Sequence, residues 1–96
     1  MDMRQFIQEQ RDRILSIAAK HGASNVRLFG SVARGDDTPD SDIDLLIDAG
    51  PTTSSWFPAG LILDLQEVFG RRVDVVTENG LNPHLRDHVL REAIPL

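Results

Sequence analysis

Apolar positions near the start of the chain recur at helical spacing. Between Met3 and His21 they return every three or four residues, which is typical of the buried face of an amphipathic helix. Gly22 follows, and glycine is the residue that most readily ends a helix. The pattern therefore predicts one helix over residues 3–21, with His21 on the helix surface.

Three later segments are short, mostly apolar and rich in branched side chains: Val26–Phe29, Asp42–Asp48 and Arg72–Val76. Runs of this kind predict strands. The stretch Ala49–Pro58 is rich in Gly, Pro, Ser and Thr and predicts a loop. Its apolar pair Trp56-Phe57 either anchors the loop to the core or contacts a partner.

Two further helices follow from the second half of the chain. Ala59–Phe69 carries an apolar stripe and precedes Gly70, and Asn82 precedes Pro83 in the order expected of a capped helix start. Helices that alternate with three strands predict an α/β fold. The last residues, Ile94–Leu96, form an apolar tail suited to being covered by a partner.

Composition limits the kinds of function to be considered. With 96 residues the chain suits one domain, residues 1–96, and its net charge of −5 argues against a nucleic-acid groove, since phosphate backbones bind clusters of Lys and Arg. The absence of cysteine excludes disulfides and thiolate chemistry. No apolar run could span a membrane or serve as a signal peptide, so we expect a cytoplasmic protein without membrane contact.

Two acids interrupt the second predicted strand. Asp42 and Asp44 are two positions apart, so they share one face while Ile43 and Leu45 share the other. Two carboxylates about 4 Å apart repel by on the order of 1 kcal/mol in water, and by about 4 kcal/mol in a half-buried setting. Mg²⁺ removes this repulsion and prefers carboxylates together with substrate phosphates. The pair therefore predicts a Mg²⁺ site, with the spacing of a two-ion centre.

A phosphate-binding turn is predicted ten residues before these acids. Gly30 ends the first predicted strand and allows a phosphate to approach the backbone. Ser31 offers a hydroxyl and an amide N–H at the first turn of a short helix. Arg34 lies one helical turn further on and can reach a β- or γ-phosphate, although it is equally suited to pair with Asp36.

The order Gly-Ser, ten residues, Asp-x-Asp resembles the signature of polymerase β-type nucleotidyltransferases. The segments Phe29–Asp36, Ser41–Leu46 and Gly80–Ala93 resemble the minimal nucleotidyltransferases in particular, so that the resemblance covers nearly the whole chain. It implies a small mixed sheet flanked by helices. It also implies a third acid on a neighbouring strand, for which Asp74 is the candidate, because it lies between Val73 and Val75 in the third predicted strand.

The resemblance also implies an activity and a partner. Asp42, Asp44 and Asp74 would hold two Mg²⁺ ions, and Asp74 would help to deprotonate the attacking hydroxyl. The donor would be ATP, bound through Gly30, Ser31 and Arg34. Minimal nucleotidyltransferases are commonly encoded beside HEPN-domain RNase toxins, so the chain would be an antitoxin that forms a complex with such a toxin and transfers AMP to one of its hydroxyls, a tyrosine.

Other functions remain open on the sequence alone. The chain could neutralise a toxin by binding and occlusion without catalysis, or act as a nucleotidyltransferase on a small molecule such as an aminoglycoside. A calcium loop starting at Asp40 is excluded, because Leu45 and Pro51 stand where that loop needs glycine and glutamate. His84 and His88 have metal-pair spacing but lack the glutamate of the metalloprotease pattern.

Overall fold

The N-terminal helical region is divided at Gln10 in the structure, a computed structural model that describes residues 2–96. The sequence predicted a single helix, whereas helix α1 ends at Glu9 and helix α2 begins at Arg11. Ile7 and Ile14, two turns apart, are both buried, so the two helices share one apolar stripe. Helical spacing alone therefore did not reveal the turn. The helices of residues 2–96 are α1 (Met3–Glu9), α2 (Arg11–Lys20), α3 (Gly30–Arg34), α4 (Ala59–Phe69) and α5 (Pro83–Glu92).

Within residues 2–96 the strands form one four-stranded mixed sheet in the order β3-β2-β1-β4. The central pair β1 and β2 is antiparallel, and β2 and β3 are parallel. Alternate residues of β2, starting with the fully buried Ile43 and Leu45, join the core with residues of α2 and α4. The strands are β1 (Ala23–Phe29), β2 (Ile43–Ala49), β3 (Val73–Thr77) and β4 (Ile94–Pro95).

The C-terminal tail is part of this sheet. The sequence indicated three strands and an apolar tail left for a partner, but Ile94 pairs with Leu28 and Pro95 with Arg27 in β1. The backbone N–H of Leu96 donates to the carbonyl of Val26 at 3.1 Å. A two-residue edge strand is too short to give a periodic signal, which explains why the sequence did not predict it.

His21 is a third correction, because it is 8% exposed and not on the helix surface. Its Nδ1 lies 2.6 Å from the hydroxyl of Ser54, and its Nε2 lies 2.7 Å from a carboxylate oxygen of Asp64. This hydrogen bond lowers the pKa of Asp64. His21 therefore ties the end of α2 to the loop after β2 and to α4.

The loop before α4 separates the two aromatic residues that the sequence grouped together. Phe57 packs against the core, whereas Trp56 is 88% exposed. The pair thus contains one anchor and one surface residue. No helix within residues 2–96 has the length and apolarity needed to cross a membrane.

Candidate active site

The register of two parallel strands places Asp44 beside Asp74. Asp44 is the second residue of β2, Asp74 is the second residue of β3, and the two are paired positions in the sheet. Ile43 and Leu45 are completely buried on the opposite face, while Asp44 is partly buried and Asp74 is exposed. Strand alternation therefore separates the acids from the core and puts both acids on one face.

The environment of Asp44 disfavours its charge. Its pKa is raised from 3.8 to about 6, first by burial and then by the negative charges of Asp74 and Asp42. Glu92 adds to the rise, and the positive charge of Arg34 opposes it. Asp42, Asp74 and Glu92 are thus close enough to Asp44 to affect its ionisation.

Asp42 lies immediately before β2 and is only partly satisfied by its neighbours. Its Oδ1 is shielded from water and accepts no hydrogen bond within residues 2–96. Arg72 Nε lies 3.0 Å from this oxygen, but its N–H is not aligned for a hydrogen bond. An unsatisfied carboxylate oxygen next to other acids has the chemistry of a ligand for a hard cation. The residue types present at this position are therefore those that Mg²⁺ prefers.

The side chains are not gathered into a finished metal centre. Among residues 2–96, no three His, Cys, Asp or Glu side chains are grouped closely enough to hold a metal ion. Asp44 and Asp74 are adjacent through their register, but Asp42 is paired with Arg72. The assignment of these acids as metal ligands remains a prediction from the sequence.

The glycine turn lies directly against Asp44. Phe29 at the end of β1 pairs with Asp44 in β2, and α3 begins at the next residue, Gly30. Gly30 has a φ of +77°, and a Cβ at this position would overlap Oδ2 of Asp44. Glycine is therefore required here both for backbone conformation and for space. Ser31, in the first turn of α3, is partly buried beside it.

Arg34 and Glu92 form the other side of this turn. The Nη1 of Arg34 donates to both carboxylate oxygens of Glu92 at 3.0 and 3.1 Å, and its Nε donates to Asp36 at 3.2 Å. These acids raise the pKa of Arg34, Asp36 contributing more than Glu92. The backbone N–H of Gly30 also donates to Glu92, at 2.5 Å. The sequence offered Asp36 as one possible partner of Arg34. Glu92 lies in the segment Gly80–Ala93 that carries the family resemblance, but nothing in the sequence indicated its contact with Arg34 and Gly30.

Arg71 fixes the loop that leads to Asp42. Its guanidinium donates to the carbonyl oxygens of Ser41 and Thr38 and lies 3.7 Å from Asp37. Backbone carbonyls held in this way set the position of the residues that follow them. Arg71 therefore stabilises the entry to β2.

A separate ion-pair group lies further along β1 and β2. Arg27 is buried and pairs with Asp48 at 2.8 Å and with Glu78 at 3.0 Å. Glu78 also lies 3.8 Å from Arg86 of α5. Arg27, which interrupts an apolar run in the sequence, is thus a structural cation inside the fold.

Comparison with known proteins agrees with this architecture. The profile of the nucleotidyltransferase domain family matches residues 7–96. A protein of Methanocaldococcus jannaschii, described as a candidate protein adenylyltransferase, is 40% identical over 88 residues, which are 92% of this chain and 95% of that protein. A solved structure described as a candidate minimal nucleotidyltransferase is 49% identical, with a TM-score of 0.85, and the match covers 100% of this chain and 97% of the other.

One further structure is that of a mutant of the toxin–antitoxin pair MntA–HpeT. It is 25% identical with a TM-score of 0.64, and the match covers 100% of this chain and 72% of the other. The fold prediction, a small mixed sheet flanked by helices, is thereby confirmed.

Proposed function

Because the chain belongs to the nucleotidyltransferase domain family, we propose that it transfers AMP from ATP to a hydroxyl of a HEPN-type RNase toxin and thereby neutralises the toxin. Membership of the family establishes a nucleotidyltransferase. The donor, the acceptor and the need for Mg²⁺ are the parts that we propose. We further propose that residues 1–96 act as one domain and that the protein is cytoplasmic.

The observation that carries the proposal is the contact between the glycine turn and the paired acids. Gly30 lies against the carboxylate of Asp44, and Asp44 lies in register with Asp74 on the next strand. A phosphate held at this turn is therefore next to the carboxylates. Burial and the charges of the neighbouring acids raise the pKa of Asp44. A carboxylate held in such surroundings is typical of a functional site.

The roles that we propose for the side chains agree with this placement. Ser31, in the first turn of α3, and Arg34, its last residue, bind the phosphates of ATP, since this five-residue helix lies beside the acids. Asp42, Asp44 and Asp74 would hold Mg²⁺, which would supply positive charge to neutralise the oxygens at the reacting phosphate. Positioning and charge stabilisation, with no covalent enzyme intermediate, supply the rate.

The proposed reaction is a single displacement at the α-phosphorus of ATP. The acceptor oxygen forms a bond to that phosphorus, and the bond to the bridging oxygen of the β-phosphate breaks. Pyrophosphate leaves with the electron pair of that bond. The proton of the acceptor hydroxyl passes to Asp74, which is exposed and therefore accessible from solvent and from a partner.

Two features support a protein as the acceptor. The chain has a net charge of −5, which disfavours a nucleic acid as the acceptor, so we expect a protein partner to provide the acceptor group. One relative is described as a candidate protein adenylyltransferase, and one similar structure is a toxin–antitoxin pair. A HEPN toxin with an accessible tyrosine fits both features.

The test is the intact mass of the toxin after incubation with this chain, ATP and Mg²⁺. We expect the toxin to gain one or more AMP units. Asp44→Asn and Asp42→Asn should abolish the gain. Asp48→Asn, the same substitution on the same strand but in the ion pair with Arg27, should retain it.

The alternative functions give different results in this experiment and in two related assays. An unchanged toxin mass would contradict the proposal. If Asp44→Asn still neutralised the toxin in cells, binding and occlusion would explain the neutralisation. If AMP appeared on an aminoglycoside and not on the toxin, the small-molecule alternative would be correct.

A further inference from the structure

Glu92 contacts the glycine turn from the far end of the sequence. It is the last residue of α5 and lies 62 positions after Gly30, yet it accepts a hydrogen bond from the Gly30 N–H. We propose that Glu92 is a positioning residue for nucleotide binding: it fixes the Gly30 turn and the Arg34 guanidinium in the arrangement that binds the triphosphate. This inference rests on the proposed function, because it requires that the triphosphate bind at this turn.

The contacts of Glu92 account for a carboxylate that is nearly buried. Its side chain is 12% exposed, and an acid removed from water to this extent requires hydrogen-bond donors. It has two of them, the Gly30 N–H at 2.5 Å and Arg34 Nη1 at 3.0 Å, and His88 Nε2 lies 3.2 Å from its Oε2. A side chain with this number of partners has one stable position and can fix the groups that it touches.

The consequence for Arg34 is a fixed guanidinium. Glu92 holds Nη1 and Asp36 holds Nε, and within residues 2–96 no hydrogen bond is made by Nη2. The guanidinium is planar, so two anchored nitrogens determine the direction of the third. The side chain is 47% exposed, which leaves Nη2 able to meet a phosphate oxygen. Binding to a group that is already oriented loses less entropy than binding to a mobile one.

The same contacts of Glu92 also allow the opposite effect on ATP binding. A carboxylate on the Gly30 N–H could act as an internal substitute for phosphate, which ATP must displace, and removing it would then strengthen ATP binding. The burial of Glu92 and its bond to both Gly30 and Arg34 favour positioning, since a displaceable plug would be more exposed. The two expectations differ in the sign of one measurement.

That measurement is the Kd of Mg²⁺–ATP for Glu92→Gln by titration calorimetry. Glutamine keeps the size and an acceptor oxygen for Gly30, but it loses the charge that binds Arg34. We expect the Kd to rise about tenfold, the effect of losing one charge-assisted hydrogen bond. In the transfer assay we expect the KM for ATP to rise by a similar factor, while kcat changes by less than about threefold. An unchanged or lower Kd would overturn the proposal.

A double-mutant cycle shows whether Glu92 acts through Arg34. Arg34→Ala alone should also raise the Kd, and adding Glu92→Gln to it should then change the Kd by less than about twofold. Fully additive effects would contradict the proposal. The matched control is Glu78→Gln, which removes a carboxylate that is likewise bonded to an arginine, Arg27, and should leave the Kd unchanged.

Melting curves of all variants establish that they are folded. If Glu92→Gln does not fold, Glu92→Asp replaces it: a shorter carboxylate reaches one of its two partners, so its Kd should lie above that of the wild type. The proposed function can fail separately. A wild-type chain that binds ATP but transfers no AMP contradicts that function and leaves the Kd comparison valid, whereas a chain that binds no ATP contradicts both.

Discussion

At the scale of single residues, the protonation of Asp44 makes the stability of the folded chain depend on pH. Because its pKa is raised to about 6, the folded chain without metal holds a proton on Asp44 that the unfolded chain releases above 3.8. The stability due to this protonation is therefore fully present below pH 3.8 and is lost as the pH rises through about 6. Cation binding has the opposite dependence, since a ligand must be ionised.

We therefore predict that Mg²⁺ affinity rises as the pH increases through about 6 and is constant above it. Calorimetric titrations with MgCl₂ between about pH 5 and pH 8, a range that spans this pKa, would measure the affinity. Asp44→Asn should lose both the affinity and its pH dependence. Asp48→Asn should keep both, and a flat profile for the wild type would contradict the prediction.

Gly30 is the second residue with a specific requirement. In Gly30→Ala the new Cβ would displace the Asp44 carboxylate, and the φ of +77° would be strained. We predict a loss of stability of about 1–3 kcal/mol and a transfer rate at least about 100-fold lower. Gly35→Ala is the control, because its φ is +81° but its Cβ would have no neighbour within 4 Å. It should lose similar stability and retain transfer, as checked by urea unfolding and the mass assay.

At the scale of elements, the short strand β4 covers an edge of the sheet. Without it, β1 would expose a row of unpaired backbone groups to other chains. Ile94 and Leu96 also pack against the core. The tail therefore contributes both to stability and to solubility.

Deleting residues 94–96 should lower the free energy of unfolding by about 2–4 kcal/mol, from lost apolar burial and backbone hydrogen bonds. It should also promote self-association, detectable by light scattering. Leu85→Ala is the control, because Leu85 of α5 is 55% exposed and its truncation should change stability by less than about 0.5 kcal/mol. A deletion variant as stable and as monodisperse as the wild type would contradict this prediction.

The elements show which structural features a sequence can reveal. Helix α4 has the predicted bounds, Ala59–Phe69, because its apolar stripe is continuous and Gly70 ends it. Asn82 caps α5 and Pro83 begins it, as the residue types indicated. Such features depend on neighbours in the chain. The burial of His21 and the contact of Glu92 with Gly30 depend on residues 33 to 62 positions away, for which the sequence contains no local signal.

At the scale of the whole molecule, the excess of acids has a consequence for binding. The chain has 15 acidic and 10 basic residues. Several of its arginines are already paired with acids, as in the cases of Arg27, Arg34 and Arg72. Few positive charges are therefore available for a phosphate backbone.

We predict that the protein binds neither RNA nor duplex DNA at concentrations up to about 10 μM, within the range where basic proteins bind non-specifically. Fluorescence anisotropy with a labelled RNA oligonucleotide at low salt would measure this. The toxin, titrated into the same sample, serves as the positive control if it binds RNA. Salt-dependent binding by the isolated chain would show that its charge distribution had been misjudged.

The register of the parallel pair β2 and β3 determines whether Asp74 lies beside Asp44. If the register of β3 against β2 shifted by one residue, Asp74 would lie in the hydrophobic core, and Val73 and Val75 would be exposed to water. Misaligned forms are therefore unstable and do not accumulate. The alternation of valine and aspartate in β3, and not the length of the segment that joins the two strands, therefore determines that Asp74 lies beside Asp44.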